Sequence, residues 1–521
     1  MTDGPFITAC NQGYDDIVQY FISKGADITL CGLFNSPLTA ACMGGHANIV
    51  KVLIDKDSDK NQTSRLGFTP LTVACIRGDE KIIQLLIDKE CDVSQADGMG
   101  RTPLTAAFWR GKVNILQLLI DKGCDVNQAD AACRGGNEKL VQLLIDKGGN
   151  VNPRSVDDIG VTPLTAACIG NSEKIVQLLI DNGVDVNQAD GNNDTPLIIT
   201  CSLGRNEKIV QLLINQGVNV NQTDSIRHTA LTAACKGGNE KIVHLLLDKG
   251  VNVNDNNMTG QAPLIAACSR GHNNIVQLLI DQGVDVNNPF DKTKSPLTAA
   301  CIGGYEKTVE LLLHQGYDPH RTIFTPVTHL TAACWSQNEK IFQLLVDKGL
   351  DINEADGFGV TPLMTACECG NYEIFQILIA KGVAIDQTTE EGLTPITAAC
   401  MAGSEKIVKL LIDNDVDIGD ADFMGPTPLI AACSGGHEHI VKLLIDNRCD
   451  VNQTDYVGLN TPLIVACRRE NKNIVKLLID KRSDVNQDCD SWETPLSVAY
   501  SKGNMVIAQL LINRGANVIS S

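Results

Sequence analysis

The segment Thr162-Pro-Leu-Thr-Ala-Ala-Cys168 returns as Thr394-Pro-Ile-Thr-Ala-Ala-Cys400 and, with serine leading, at Ser36 to Cys42 and Ser295 to Cys301. Its proline recurs at Pro37, Pro70 and Pro103, at Pro163 and Pro196, at Pro263 and Pro296, and at Pro362, Pro395 and Pro428. Each step within a group is 33 residues. A fixed period of this size marks a stacked-repeat protein, in which one unit cannot bury its apolar face alone.

Within the unit, threonine can cap the free N–H groups of a helix, and proline suits the first helical position because its missing N–H has no partner there. Leu164, Ala166, Ala167 and Cys168 then give a short helix with small side chains. After Gly170-Asn171, a second helix opens on Glu173, whose charge suits a helix N-terminus. Its Ile175, Val176, Leu178, Leu179 and Ile180 are too apolar for a one-sided surface helix. Asn182-Gly183 supplies the stop. Asp185-Val-Asn-Gln-Ala-Asp190 leads through a polar turn to the next Thr-Pro.

This unit resembles the ankyrin repeat in its Thr-Pro-Leu start, Ala-Ala pair, Ile-Val-x-Leu-Leu run and Gly-x-Asp-Val-Asn ending. The resemblance extends over essentially the whole chain. It implies an all-α, ankyrin-type α-solenoid of about sixteen stacked helix-turn-helix repeats with hairpin-like finger loops. Two departures recur. The family's histidine after Thr-Pro-Leu is Thr or Ile here (Thr39, Thr165, Ile265), and the second alanine of its Leu-Ala-Ala is cysteine.

The spacing divides the chain into N-terminal repeats 1–130, an irregular unit 131–161 and a C-terminal array 162–521. In the irregular unit, Asn127-Gln-Ala-Asp130 runs straight into Ala131-Ala-Cys133, so eight residues, including Thr-Pro-Leu, are missing. A shortened first helix and a hinge or defect are expected there. Gln315 to His329 is a second irregular stretch, where histidine stands in place of the helix-starting proline. Neither end carries a polar capping repeat, which leads us to expect either exposed apolar surface or a larger architecture around this array.

The chain has 521 residues and a formal charge of −19. This argues against general binding to nucleic acid or anionic membranes. No apolar run is long enough for a membrane span, and the first residues lack the basic-then-apolar pattern of a signal peptide. Fourteen of the 20 cysteines share one repeat position, from Cys10 to Cys467. That is a packing site for a small apolar side chain. Adjacent helices about 8–10 Å apart are too distant for disulfides along it. Reduced thiols then place the chain in the cytoplasm, with the nucleus as an alternative.

No motif for catalysis, cofactor or metal emerges, so neither an enzyme nor a cofactor is expected. The Gly-Gly pairs have no Lys-Ser/Thr sequel. His437 and His439 do not share a helical face. Asp-rich turns such as Asp185 and Asp190 read as turn formers and caps rather than calcium loops.

Surface remains. The resemblance implies a concave face, built of first helices and fingers, that binds other proteins as a monomeric scaffold or adaptor. The alternative is the regulatory or targeting array of a larger protein, such as a ligase subunit, kinase, immune sensor or channel. The residue after the motif cysteine should point outward, and it varies: Ile169, Lys236, Ile302, Trp335, Glu368, Met401, Arg468, with Trp109 in the corresponding place. Trp and Arg are favoured interface anchors. Trp109, Trp335 and Arg468, with the finger residues Phe358 and Trp492, are therefore the candidate protein-binding set; Phe68, Phe290, Phe423 and Tyr456 extend it. The resemblance also implies possible asparaginyl hydroxylation at Asn127, Asn187 and Asn287, each in a Leu-x5-Asp-Val-Asn segment.

Overall fold

The computed structural model describes residues 4–29, 35–108, 113–124, 133–152, 160–254, 262–287, 295–320, 327–389, 393–419, 425–455, 458–488 and 493–517. Among these residues the chain is all-α, with 31 helices and a single isolated bridge, Thr223 to Thr229. Residues 1–258 and 259–521 form two compact units. In each, a short first helix pairs with a longer second helix, as in Pro163–Ile169 with Glu173–Asp181 and Pro395–Ala402 with Glu405–Asp413. First helices contact first helices of the neighbouring repeat, and second helices contact second helices.

The Thr-Pro start works as expected. The Thr162 hydroxyl accepts from the Thr165 N–H at 3.2 Å. The Thr165 hydroxyl in turn accepts from the Thr162 N–H at 2.8 Å. Thr165 stands where the family has histidine, and it closes a reciprocal capping box. Thr394 with Thr397 and Thr494 with Ser497 do the same. Thr229 caps its helix even though Ala230 replaces the proline. The second helix starts on a polar cap, such as Ser172, Asn239 or Asn338, and ends before a left-handed residue such as Gly183 at φ +76°.

The core is a stack of repeated layers. Leu164, Ala166, Ala167 and Cys168 of the first helix and Ile175, Val176 and Leu179 of the second are all essentially inaccessible. The motif cysteines among the described residues are buried thiols. Burial pushes the Cys10 and Cys168 thiols up to about 12. Cys91 and Cys449 lie beyond the second helix, where other repeats carry Val184 or Val251, and are pushed up to about 11 by the same cause.

The irregular unit keeps its second helix, Glu138–Asp146, which contacts both Val113–Asp121 and Glu173–Asp181. Lys147 pairs with Asp121 at 2.9 Å across 26 residues. Lys89 makes the equivalent pair with Asp55 across 34 residues. The difference equals the eight residues missing from the sequence, so the second-helix stack absorbs the deletion without losing register. Of the shortened first helix expected in the irregular unit 131–161, Ala131 and Ala132 lie outside the described residues, and Cys133 is helical and buried.

His329 takes the first position of helix His329–Trp335, where other repeats have proline. It is buried, its Nδ1 lies 2.8 Å from the Thr298 hydroxyl, and its ring meets Tyr317 edge-on. Burial lowers its pKa to about 4.

Candidate functional site

The site is built on a contrast between fixed and variable positions in each repeat. The fixed polar positions join one repeat to the next. Asn187 accepts the Asn219 N–H at 2.7 Å, Asn287 accepts that of Asp318 at 2.9 Å, and Asn452 accepts that of Asp484 at 2.8 Å. The following glutamine reaches backwards: Gln487 Nε2 donates to the Asn452 carbonyl at 3.0 Å. The Asp-Val-Asn-Gln turn is thus a two-way inter-repeat clasp. This role was not legible in a single repeat, although the recurrence of Asn-Gln carried the signal. Asn187 and Asn287, the candidates for hydroxylation, both belong to the clasp; Asn127 lies outside the described residues.

The finger aspartates have an equally local task. Asp97 accepts the Met99 and Arg101 N–H groups, and Asp356 those of Phe358 and Val360, all at 2.9–3.0 Å. Their carboxylates are consumed in holding the finger closed. His437 is a structural histidine as well. Its Nε2 lies 3.0 Å from the Met401 carbonyl, and its ring fills space that a Cβ on Gly403 would enter at 2.5 Å. Among the described residues no cluster of three or more His, Cys, Asp or Glu is placed to hold a metal ion. No helix among them is long and apolar enough to cross a membrane.

The variable positions project from the ends of the first helices. In the second unit Ile302 is 48% exposed, Trp335 44% and Met401 45%. Glu368 occupies the same position between Trp335 and Met401; desolvation and then Asp356 raise its carboxyl above the ordinary range. Phe358, 68% exposed, sits on a finger. Trp109 and Trp492 lie outside the described residues, as do Phe290, Phe423 and Tyr456. Phe68 has a nearby partner: the Arg101 guanidinium of the next finger lies over its ring at 5.4 Å.

Arg468 ends helix Pro462–Arg468, where a cation is favoured by the helix dipole. It is braced by the neighbouring fingers: Nη1 donates to Asn460 Oδ1 at 2.6 Å, and Nη2 pairs with Glu493 at 2.8 Å. Beside it opens a groove of about 520 Å³. Met401, Pro426, Ile430 and Val465 supply its apolar lining, and Arg468, Arg469 and Lys502 its cations. The Asp455 carboxylate also lies there, but it is engaged by the Leu459 and Asn460 N–H groups and by Asn460 Nδ2. Sequence reasoning found Arg468 and Met401. It missed Arg469 and Lys502, which follow the variable position or cap the next helix.

A family model described as ankyrin repeats, in sets of three copies, matches residues 6–97, 56–130, 131–190, 184–257, 251–323, 324–389, 363–455 and 457–521. No curated protein matches the chain.

Proposed function

The chain belongs to the ankyrin-repeat family, whose repeats generally serve as non-catalytic modules of protein–protein interaction, and from that premise we propose that it is a scaffold or adaptor binding partner proteins along its first-helix face. One observation carries this reading. The residues before the variable position are fixed and buried, while the variable residues Ile302, Trp335 and Met401 are large, apolar and close to half exposed. Apolar side chains held outward on a rigid frame are what a recognition surface requires. The second-helix face has a different character: several of its charges are paired between repeats, as in Lys208 with Glu173 at 3.4 Å and Lys340 with Glu306 at 3.5 Å. Its working place is the cytoplasm, with buried reduced cysteines suited to a reducing medium.

A photo-crosslinking amino acid at position 335 or 340 tests the reading in the source cells. Crosslinks to partner proteins from position 335, with few from 340, are the expected outcome. Equal yields from both, or yield from 340 alone, would sink it.

A further inference from the structure

We infer that the groove beside Arg468 receives an extended, acidic segment of a partner protein, its carboxylates on Arg469, Lys502 and Arg468 and an apolar side chain on Met401 and Ile430. The inference rests on the binding reading above and adds the chemistry of the partner.

Charge is the first argument. The whole chain carries −19. This groove nevertheless presents three cations. Of the carboxylates around them, Asp455 is hydrogen-bonded within its own finger, Glu493 holds Arg468, and Glu470 accepts from Asn504 Nδ2 at 3.3 Å. Among the described residues the Arg469 guanidinium donates to the neutral Ser434 hydroxyl, at 3.2 Å. Among the described residues Lys502 makes no ion pair. Two exposed cations therefore face the groove with no ion pair among the described residues. The floor beneath them is apolar, where a carboxylate–guanidinium contact is strengthened by reduced solvent access. A basic segment would meet like charge here, and a purely apolar one would leave the cations poorly solvated.

Geometry adds the length. The Trp335, Glu368, Met401, Ser434 and Arg468 positions are successive repeats in one unit. Packed helices lie about 8–10 Å apart, so Trp335 and Arg468 are separated by roughly 32–40 Å. An extended chain advances about 3.3 Å per residue, so about ten to twelve residues span the row. The matching segment carries apolar anchors toward Trp335 and acidic residues toward Arg468.

The test is selection of random peptides about twelve residues long on the full chain, followed by anisotropy titration of the enriched peptides. Two charge-reversal variants are compared: Arg469→Glu/Lys502→Glu in the groove and Lys442→Glu/Lys476→Glu on the second-helix face. Enriched peptides should combine Asp or Glu with large apolar residues. The groove variant should weaken them at least about tenfold, since charge-assisted hydrogen bonds are lost. The control, with the same net charge, should leave affinity unchanged. Enrichment of basic or uncharged peptides, equal weakening by both variants, or no enrichment would overturn the inference. So would binding of a phosphoserine peptide whose Asp/Glu counterpart does not bind. If the double reversal impairs folding, Arg469→Gln/Lys502→Gln replaces it with the same expected order. Crosslinking from position 335 can succeed while this fails, which would leave the binding reading standing and discard only the acidic partner.

Discussion

The seam between repeats and the outward row at the ends of the first helices are separated by one residue in sequence, Cys334 from Trp335 and Cys467 from Arg468. Their physics is opposite. In the seam the cysteines are packed, the threonines cap, and Asn-Gln clasps and Lys–Asp pairs join one repeat to the next. In the row, Ile302, Trp335 and Met401 remain near half exposed. On the proposed reading, stability and recognition occupy separate positions, and each can change without the other. The irregular unit shows how far this goes. Eight residues and a Thr-Pro start are absent, yet the second helices stay in register through Lys147 and Asp121.

The largest effect expected on the seam side is Leu345→Ala. This side chain is completely buried. Truncation should cost about 2–5 kcal/mol. Denaturant unfolding measures the total, and hydrogen exchange should show the loss concentrated in helix Glu339–Asp347 and the helices beside it.

His329 comes next. Its folded pKa is lowered to about 4 by burial, so the unfolded chain takes up the proton first as pH falls. Stability should be flat above the ordinary histidine pKa near 6.5, decline between about 6.5 and 4, and level off below. A shift of this size corresponds to roughly 3 kcal/mol at most. His329→Pro, which restores the residue of the other repeats, should remove this part of the pH dependence. An unchanged profile in that variant would show that other groups cause it.

A smaller loss, about 1 kcal/mol, is expected for Asn452→Ala, which leaves the Asp484 N–H to water. Faster exchange of that one amide is the direct readout. Least of all should come from Lys89→Ala. Its partner Asp55 is solvent-exposed, and screened surface pairs contribute little. A clear drop in Tm that vanishes in high salt would show that the surface ladder matters more than the seam comparison allows.

The fold was legible because its signals are local: the 33-residue period, the Thr-Pro cap and the Gly stop each act within a few residues. The finger aspartates were legible for the same reason. What was not legible acts across the period. Asn452 reaches a residue 32 positions on, and Arg468 finds Glu493 25 positions away. These partners can be assigned only when the register of neighbouring repeats is known. Thr298 with His329 shows the same limit: the histidine reads as a missing proline until the preceding repeat is set against it. The candidate site was half visible. Ile302, Trp335, Glu368, Met401 and Arg468 were read as outward and are exposed, while the cations of the next turn, Arg469 and Lys502, join them only through the stacking.

The most direct test is quantitative partner capture from the source cells with Trp335→Ala/Met401→Ala, set against a second-helix control, Lys442→Ala/Lys476→Ala, after both variants are shown to melt like the native chain. The account predicts that the first loses partners while the control keeps them. Partners retained by both, or lost equally from both, would contradict the assignment of recognition to the first-helix row.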